Sequence, residues 1–127
     1  MPPLTRWFLL LGSLSMLLAV LLGAFGAHTL KRSLTPELMA VYETAVQYHF
    51  YHALGLLAVA LLSLHLPNSG LLKWSGWLLV VGILIFSGSL YGLSIGGARW
   101  LGAITPFGGV AFMVAWLLLI VAILQAP

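Results

Sequence analysis

The stretch "ETAVQYHFYHALGLLAVALLSL", residues 43–64, decides how this chain folds, because it joins a polar segment to an almost unbroken apolar one. Its first ten residues include an acid, an amide, two tyrosines and two histidines. The rest contains a single polar residue, Ser63, and has the composition of a helix in lipid. A bilayer core of about 30 Å is crossed by about 20 apolar helical residues. The stretch therefore predicts a membrane-spanning helix that carries polar side chains in its first half.

The composition of the whole chain supports a membrane setting. Of its 127 residues, 62% are hydrophobic and only 6% are charged, whereas a soluble domain has about 25% charged residues. So little charge cannot coat a soluble surface, and the lipid bilayer is the expected partner. The five Lys and Arg residues are scattered, so no nucleic-acid-binding patch is predicted. The absence of cysteine excludes disulfides and thiolate chemistry.

Four apolar stretches predict one all-α membrane domain, residues 1–127, with four transmembrane helices in a compact bundle. The first stretch ends in small residues like those of a signal-peptide cleavage site, but its apolar run is longer than a typical signal core and predicts a retained helix. Thr35, Pro36 and Glu37 form a helix start signal, so the second helix is expected to begin with an extension at the membrane interface. The predicted spans are approximately 7–27, 44–66, 74–95 and 103–125.

Four spans place both chain ends on one side of the membrane, which we call face A. The loops 28–43 and 96–102 then lie on the other side, which we call face B. Face A holds two basic side chains, and face B holds three, Lys31, Arg32 and Arg99. The positive-inside rule favours face B as the cytoplasmic side, but by one side chain, which the charge of the amino terminus cancels.

Small residues spaced by four are the sequence signal for close helix contacts in lipid, where van der Waals packing replaces the hydrophobic driving force. The third span carries three such glycines, and the first span has a ridge of small residues from Ser15 to Ala27. The favoured interpretation is packing within the bundle, and the alternative is a ridge that faces another copy of the chain. The glycines predicted at helix contacts are Gly23, Gly88, Gly92, Gly96, Gly108 and Gly109.

Polar side chains concentrate in the half of the membrane nearer face B, where they form a predicted polar cluster and candidate binding site. On a helical wheel of about 100° per residue, Glu43 and His52 lie on different sides of the second helix. They therefore need partners on other helices or in another subunit. The members of the cluster are His28, Glu43, Gln47, Tyr48, His49, His52, Ser89, Tyr91 and Thr105.

Three interpretations of these polar residues compete, and structural hydrogen bonds between helices are favoured. The second is a site that handles protons or solutes, since histidine titrates near neutral pH. The third is a metal site in which Glu43 or His28 joins His49 and His52, but the chain has no HExxH motif. No serine stands in a GxSxG motif either. We therefore predict no catalytic residue, no metal, no cofactor and a protein that is not an enzyme.

Four sequence blocks carry a family resemblance that covers nearly the whole chain. They are "GAFGAH" (23–28), "ETAVQYHFYHALGLL" (43–57), "FSGSLYGLS" (86–94) and "GAITPFGGVAFMVAW" (102–116). In this order they resemble the domain-of-unknown-function 423 family of small four-span proteins of bacterial inner membranes. The resemblance implies an integral membrane protein without a settled activity, and it ranks His49 below His52. The motif positions it implies are His28, Glu43, Tyr48, His52, Ser89, Tyr91, Thr105 and Pro106.

Two functional hypotheses follow from the sequence. The first is a binding or assembly component that engages lipid, another membrane protein or a second copy of itself, because the chain has small-residue ridges and very little mass outside the membrane. The alternative is a small oligomeric transporter or channel, linked to protons through Glu43 and His52.

Overall fold

The computed structural model describes residues 1–127 and contains helices but no strands. Four helices are long and apolar enough to cross a membrane, which confirms the predicted all-α membrane class. Short 3-10 turns, Leu30–Arg32 and Arg99–Ala103, follow the first helix and precede the last one. The four helices are α1 (Pro3–His28), α2 (Pro36–Leu62), α3 (Gly70–Gly96) and α4 (Thr105–Leu124).

Helix α2 begins at the sequence signal that predicts it. The Thr35 side chain accepts a hydrogen bond from the backbone N–H of Leu38 at 3.3 Å, and Pro36 occupies the first turn. At the other end, α2 stops at Leu62, before the expected end at Leu66. The Ser63 hydroxyl donates to the carbonyl oxygen of Ala60 at 2.6 Å, which helps to satisfy the last turn.

Helix α3 contains a π-helical segment, Ile83–Ser87, that the sequence analysis did not predict. Such segments widen the helix by one residue per turn and often occur at functional sites. Here the wider turn ends at Ser87, whose buried hydroxyl donates to the carbonyl oxygen of Ala45 on α2 at 2.8 Å. The segment therefore couples α3 to α2 and rotates the part of α3 beyond it.

Helices α1 and α2 form one antiparallel pair with contacts along its length. At face A, the hydroxyls of Thr5 and Ser63 share a hydrogen bond. Near face B, the ring of Tyr42 packs against Gly26, and its hydroxyl donates to the carbonyl oxygen of Leu22. Because these contacts lie at opposite ends, α1 is held against α2 across the whole membrane.

Helices α3 and α4 form the second antiparallel pair. Ser75 donates to the carbonyl oxygen of Ala115 at 2.8 Å. The Phe112 ring lies over Gly82, and the backbone of Phe86 lies against Gly108. Helix α3 also packs along α2, so α2 and α3 together form the centre of the bundle, with α1 and α4 on its outer sides.

Helix α1 meets α3 mainly near face A. There the Phe8 ring packs on Gly76 and makes an edge contact with Trp77, with ring centroids 5.1 Å apart. The backbones of the two helices have few other contacts. The two helices therefore border an open cleft that begins beyond Phe8.

The glycine predictions need correction in α3. A Cβ built at Gly88 or Gly96 meets nothing within 4 Å, and one at Gly92 meets only the Leu101 side chain. These glycines do not form a close contact between spans. Spacing by four shows that residues share one face of a helix, but it does not show which neighbouring helix packs on that face. Five other glycines, outside the predicted set, are in close contact with a side chain of another helix. They are Gly12, Gly26, Gly55, Gly76 and Gly82.

The other predicted packing glycines differ from one another. A Cβ at Gly108 would lie 2.7 Å from the Cα of Phe86, so this glycine is required for close approach of α3 and α4. At Gly23 and Gly109, added Cβ atoms would sit at 3.5 Å from Val46 and 3.8 Å from Phe86, which are ordinary contacts. Only Gly108 among the six therefore lies against the backbone of a neighbouring span.

We expect Gly108→Ala to lower the free energy of unfolding by about 1–3 kcal/mol, the usual cost of overpacking a well-filled contact. The added methyl would push against backbone atoms of Phe86, which cannot rotate away. Unfolding of the purified protein in detergent by heat or denaturant measures the change. Gly96→Ala is the matched control, because the same methyl there enters open space. Equal stability of both variants and the wild type would contradict this account.

Candidate functional site

A cleft of about 280 Å³ lies between α1 and α3, with part of α2 as its floor. One wall consists of leucines that recur along α1, and the other of aliphatic residues on α3. Its polar residues are few and lie together. The apolar lining is Leu11, Leu14, Leu18, Leu22, Leu56, Val80, Ile83 and Leu84, with Gly88 at the edge. The polar lining is Ser15, His49, Ser87 and Tyr91.

His49 braces the floor of this cleft. Its Nε2 lies 2.9 Å from the Ser15 hydroxyl on α1, and its Nδ1 lies 2.9 Å from the Tyr91 hydroxyl on α3. The side chain is buried, with 5% of its surface exposed. In a neutral imidazole one nitrogen donates and the other accepts, so both nitrogens are satisfied. His49 thus links three helices through two hydrogen bonds.

The pair Ser15 and His49 has the spacing of a nucleophile and its general base. The rest of such a constellation is different here, because the third partner is the phenol of Tyr91 and not a carboxylate. Ser15 also lies in the middle of α1, where backbone N–H groups bond within the helix and do not form an oxyanion hole. Nothing in this arrangement points to catalysis.

His52 has a different role from His49. Its Nδ1–H donates to the carbonyl oxygen of Tyr48 on the same helix at 2.8 Å. Its ring stacks on Phe112 of α4, with centroids 3.5 Å apart and planes at 7°. The two histidines therefore face different helices and do not converge on a common ligand. His49, which the family resemblance ranks below His52, carries the polar link between spans.

The other predicted polar residues are divided among several places. Ser89 and Thr105 share a hydrogen bond of 2.6 Å where α3 meets the start of α4. The Tyr48 ring lies against Phe86, with centroids 4.7 Å apart. His28 is exposed at the end of α1. The predicted cluster is thus not a single site.

Glu43 and Gln47 lie apart from the His49 cleft. Both are exposed and line a second cleft near face B. They are on the side of α2 away from His52, in agreement with the helical wheel.

Ser15 and Ser87 are polar lining residues outside the predicted cluster. Ser15 belongs to the ridge of small residues, because its neighbours at intervals of four are also small. Ser87 stands in the block "FSGSLYGLS" (86–94) with two other serines, and the sequence does not distinguish it from them. A central position on a span is the signal that could have identified Ser15, since a polar group at mid-membrane requires a partner.

Four antiparallel helices with satisfied polar groups between them define a small integral membrane protein. The chain belongs to the family described as protein of unknown function (DUF423), whose model matches residues 22–109. It is similar to the UPF0382 membrane protein YwdK of Bacillus subtilis, with 51% identity over 115 residues, covering 91% of this chain and 94% of that protein.

A second relative is similar over almost the same part of the chain. A UPF0382 membrane protein of Staphylococcus epidermidis is 48% identical over 118 residues, which cover 93% of this chain and 95% of the relative. No solved structure matches the chain. The predicted family and the predicted location in a bacterial membrane are confirmed by these relatives.

We expect His49→Leu to lower the free energy of unfolding by about 1–3 kcal/mol, because it leaves the hydroxyls of Ser15 and Tyr91 without their shared partner. The triple variant with Ser15→Ala, His49→Leu and Tyr91→Phe should recover much of that loss, since it removes all the polar groups together. Denaturation in detergent micelles measures both.

The control for this series is His65→Leu, which changes an exposed histidine beyond the end of α2. A His49→Leu protein as stable as this control would show that the bridge does not contribute to stability. A triple variant no more stable than His49→Leu would show that the loss comes from packing instead.

Proposed function

We propose that this protein is a binding component of the membrane that holds the acyl chain of a lipid in the cleft between α1 and α3. The observation that carries the proposal is the cleft itself, about 280 Å³ between leucine-rich walls. Small-ligand pockets begin at about 300 Å³, so the space is of the right order for a flexible chain. Leu14, Leu18 and Leu84 at its borders are exposed, and in a bilayer these side chains face lipid.

The polar floor of the cleft favours an apolar occupant. Both nitrogens of His49 are bonded, and Ser87 is bonded to α2. No buried side-chain nitrogen or oxygen lacks a partner. A ligand therefore has no unpaired polar group to satisfy at the floor, and its contacts are with leucine, isoleucine and valine. In a bilayer, the molecules available to fill such a space are lipid chains.

The transport alternative has no comparable support. Toward face A, the Phe8 ring against Gly76 and Trp77 closes the space between α1 and α3. The buried hydroxyls in that half are engaged in bonds within the protein, Thr5 with Ser63 and Ser75 with a backbone carbonyl. A proton or solute would meet packed apolar side chains beyond His49. Binding is therefore the function that this geometry supports best.

The proposal predicts that Gly88→Leu displaces the bound chain. Gly88 lines the cleft, and a Cβ added there meets no atom within 4 Å, so we expect a leucine at this position to occupy part of the cleft. A phospholipid with a photoreactive group in its acyl chain, incorporated with the protein into vesicles, should label the half-buried lining residues Leu11 and Val80 in the wild type. Mass spectrometry should find this labelling several-fold weaker in Gly88→Leu.

Gly96→Leu is the matched control, since it adds the same side chain to the same helix in open space outside the cleft. It should be labelled like the wild type. Equal labelling of Gly88→Leu and wild type would overturn the proposal. Crosslinks from the cleft to a second protein chain, with no lipid adduct, would also overturn it, because the occupant would then be another copy.

A further inference from the structure

A second cleft of about 370 Å³ lies between α1 and α2 near face B. It shares no lining residue with the first cleft. Its lining combines apolar residues with polar side chains. The apolar residues include Gly23, Ala27, Val46 and Phe50, and the polar ones are Lys31, Tyr42, Glu43, Gln47 and Tyr51.

The cleft holds one positive and one negative charge that do not neutralise each other. Lys31 lies in the 3-10 turn after α1, and Glu43 lies about two turns into α2. Both are exposed and line the cleft, yet they form no ion pair within 4 Å. Opposite charges with a gap between them are complementary to a ligand that carries both charges itself.

The depth of the cleft matches that of lipid headgroups. Tyr42, the neighbour of Glu43, packs on Gly26, two residues before α1 ends at His28. Glu43 is therefore near the end of the apolar span and within reach of the membrane interface. Val46 and Phe50 lie one and two turns further along α2 toward the bilayer core.

We propose that this cleft binds the headgroup of a zwitterionic phospholipid, with the phosphate against Lys31 and the ammonium against Glu43. The Gln47 carbonyl oxygen is a further acceptor for the ammonium, and the glycerol end of the acyl chains lies against Val46 and Phe50. This inference rests on the proposed function in assuming that the protein engages lipid, but it uses different residues. It extends that function from an acyl chain to a class of headgroup.

Glu43 is the residue that sets the selectivity. A purely anionic phospholipid satisfies Lys31 but places negative charge near the Glu43 carboxylate, which is unfavourable at the low dielectric of the interface. A zwitterionic headgroup satisfies both side chains. We expect a preference of about fivefold for the zwitterionic lipid, which corresponds to about 1 kcal/mol, the upper range for one exposed ion pair.

Native mass spectrometry of the purified protein tests this with equal amounts of phosphatidylethanolamine and phosphatidylglycerol. The wild type should retain the ethanolamine lipid about fivefold more often. Glu43→Gln should abolish that preference, and Lys31→Gln should weaken retention of both lipids. The matched controls Glu37→Gln and Arg32→Gln change neighbouring charges outside the cleft and should behave like the wild type.

Three results would overturn the inference. They are equal retention of both lipids by the wild type, a preference that survives in Glu43→Gln, and loss of the lipid on addition of equimolar soluble phosphoethanolamine. The last result would show that the acyl-chain contacts with Val46 and Phe50 contribute nothing, and that the ligand is a soluble zwitterion and not a lipid. Gly88→Leu separates this inference from the proposed function, because it fills only the first cleft and should keep the ethanolamine preference. Labelling thus tests the cleft between α1 and α3, and the ethanolamine preference tests the cleft between α1 and α2. Either result can fail without the other.

Discussion

The hydrogen bonds of His49 set the spacing of the helices on which the rest of the structure depends. In the membrane interior no water is present to satisfy an imidazole, so its two nitrogens need protein partners. Ser15 and Tyr91 provide them from helices on either side. The His49 side chain of α2 lies between Ser15 of α1 and Tyr91 of α3. It therefore keeps α1 and α3 apart at that depth. The cleft is the consequence of satisfying a polar group, and the bridge forms its floor.

Aromatic rings on glycines hold the bundle together around that bridge. Tyr42 on Gly26, Phe8 on Gly76 and Phe112 on Gly82 connect three different pairs of helices. Close packing of this kind supplies the helix association that lipid does not drive. The Phe8 ring joins α1 to α3 near face A only. The two helices therefore lie further apart toward face B. Beyond that contact, the two helices are linked through His49.

The sequence predicts the spans well and the side-chain contacts poorly, for different physical reasons. Span positions depend on average apolarity over about 20 residues, and the start of α2 depends on local chemistry at Thr35 and Pro36. Contacts depend on which face of each helix meets a neighbour. The π-helical segment changes that face within α3, and no residue in "ILIFS" (83–87) signals it. The spacing by four beyond this segment therefore predicted contacts at Gly88 and Gly96, where no neighbour is close. It did not predict the contacts at Gly76 and Gly82.

The candidate site shows the same limit. A polar cluster was expected from residues such as His49 and Tyr91, and these two do meet. Glu43 and His52 belong to other surroundings, because an α-helix that carries polar groups on several sides distributes them among several neighbours. Ser15 completes the bridge from a span whose other serine, Ser13, is only two residues away. Apart from its central position, nothing in the sequence separates Ser15 from Ser13, and only the packing of α1 on α2 brings it to His49.

Helices α1 and α2 border both clefts, and the sequence of α1 is suited to this position. One side contributes Leu14 and Leu18 to the cleft near α3, while its face-B end contributes Gly23 and Ala27 to the cleft near Lys31. The small residues let the α2 side chains Val46 and Phe50 approach, and the leucines present flexible apolar surface to lipid. Since α1 is fixed along α2 but touches α3 mainly at Phe8, the cleft near α3 depends on the single bridge at His49. The headgroup cleft depends instead on the α1–α2 contacts near face B, such as the Tyr42 ring on Gly26.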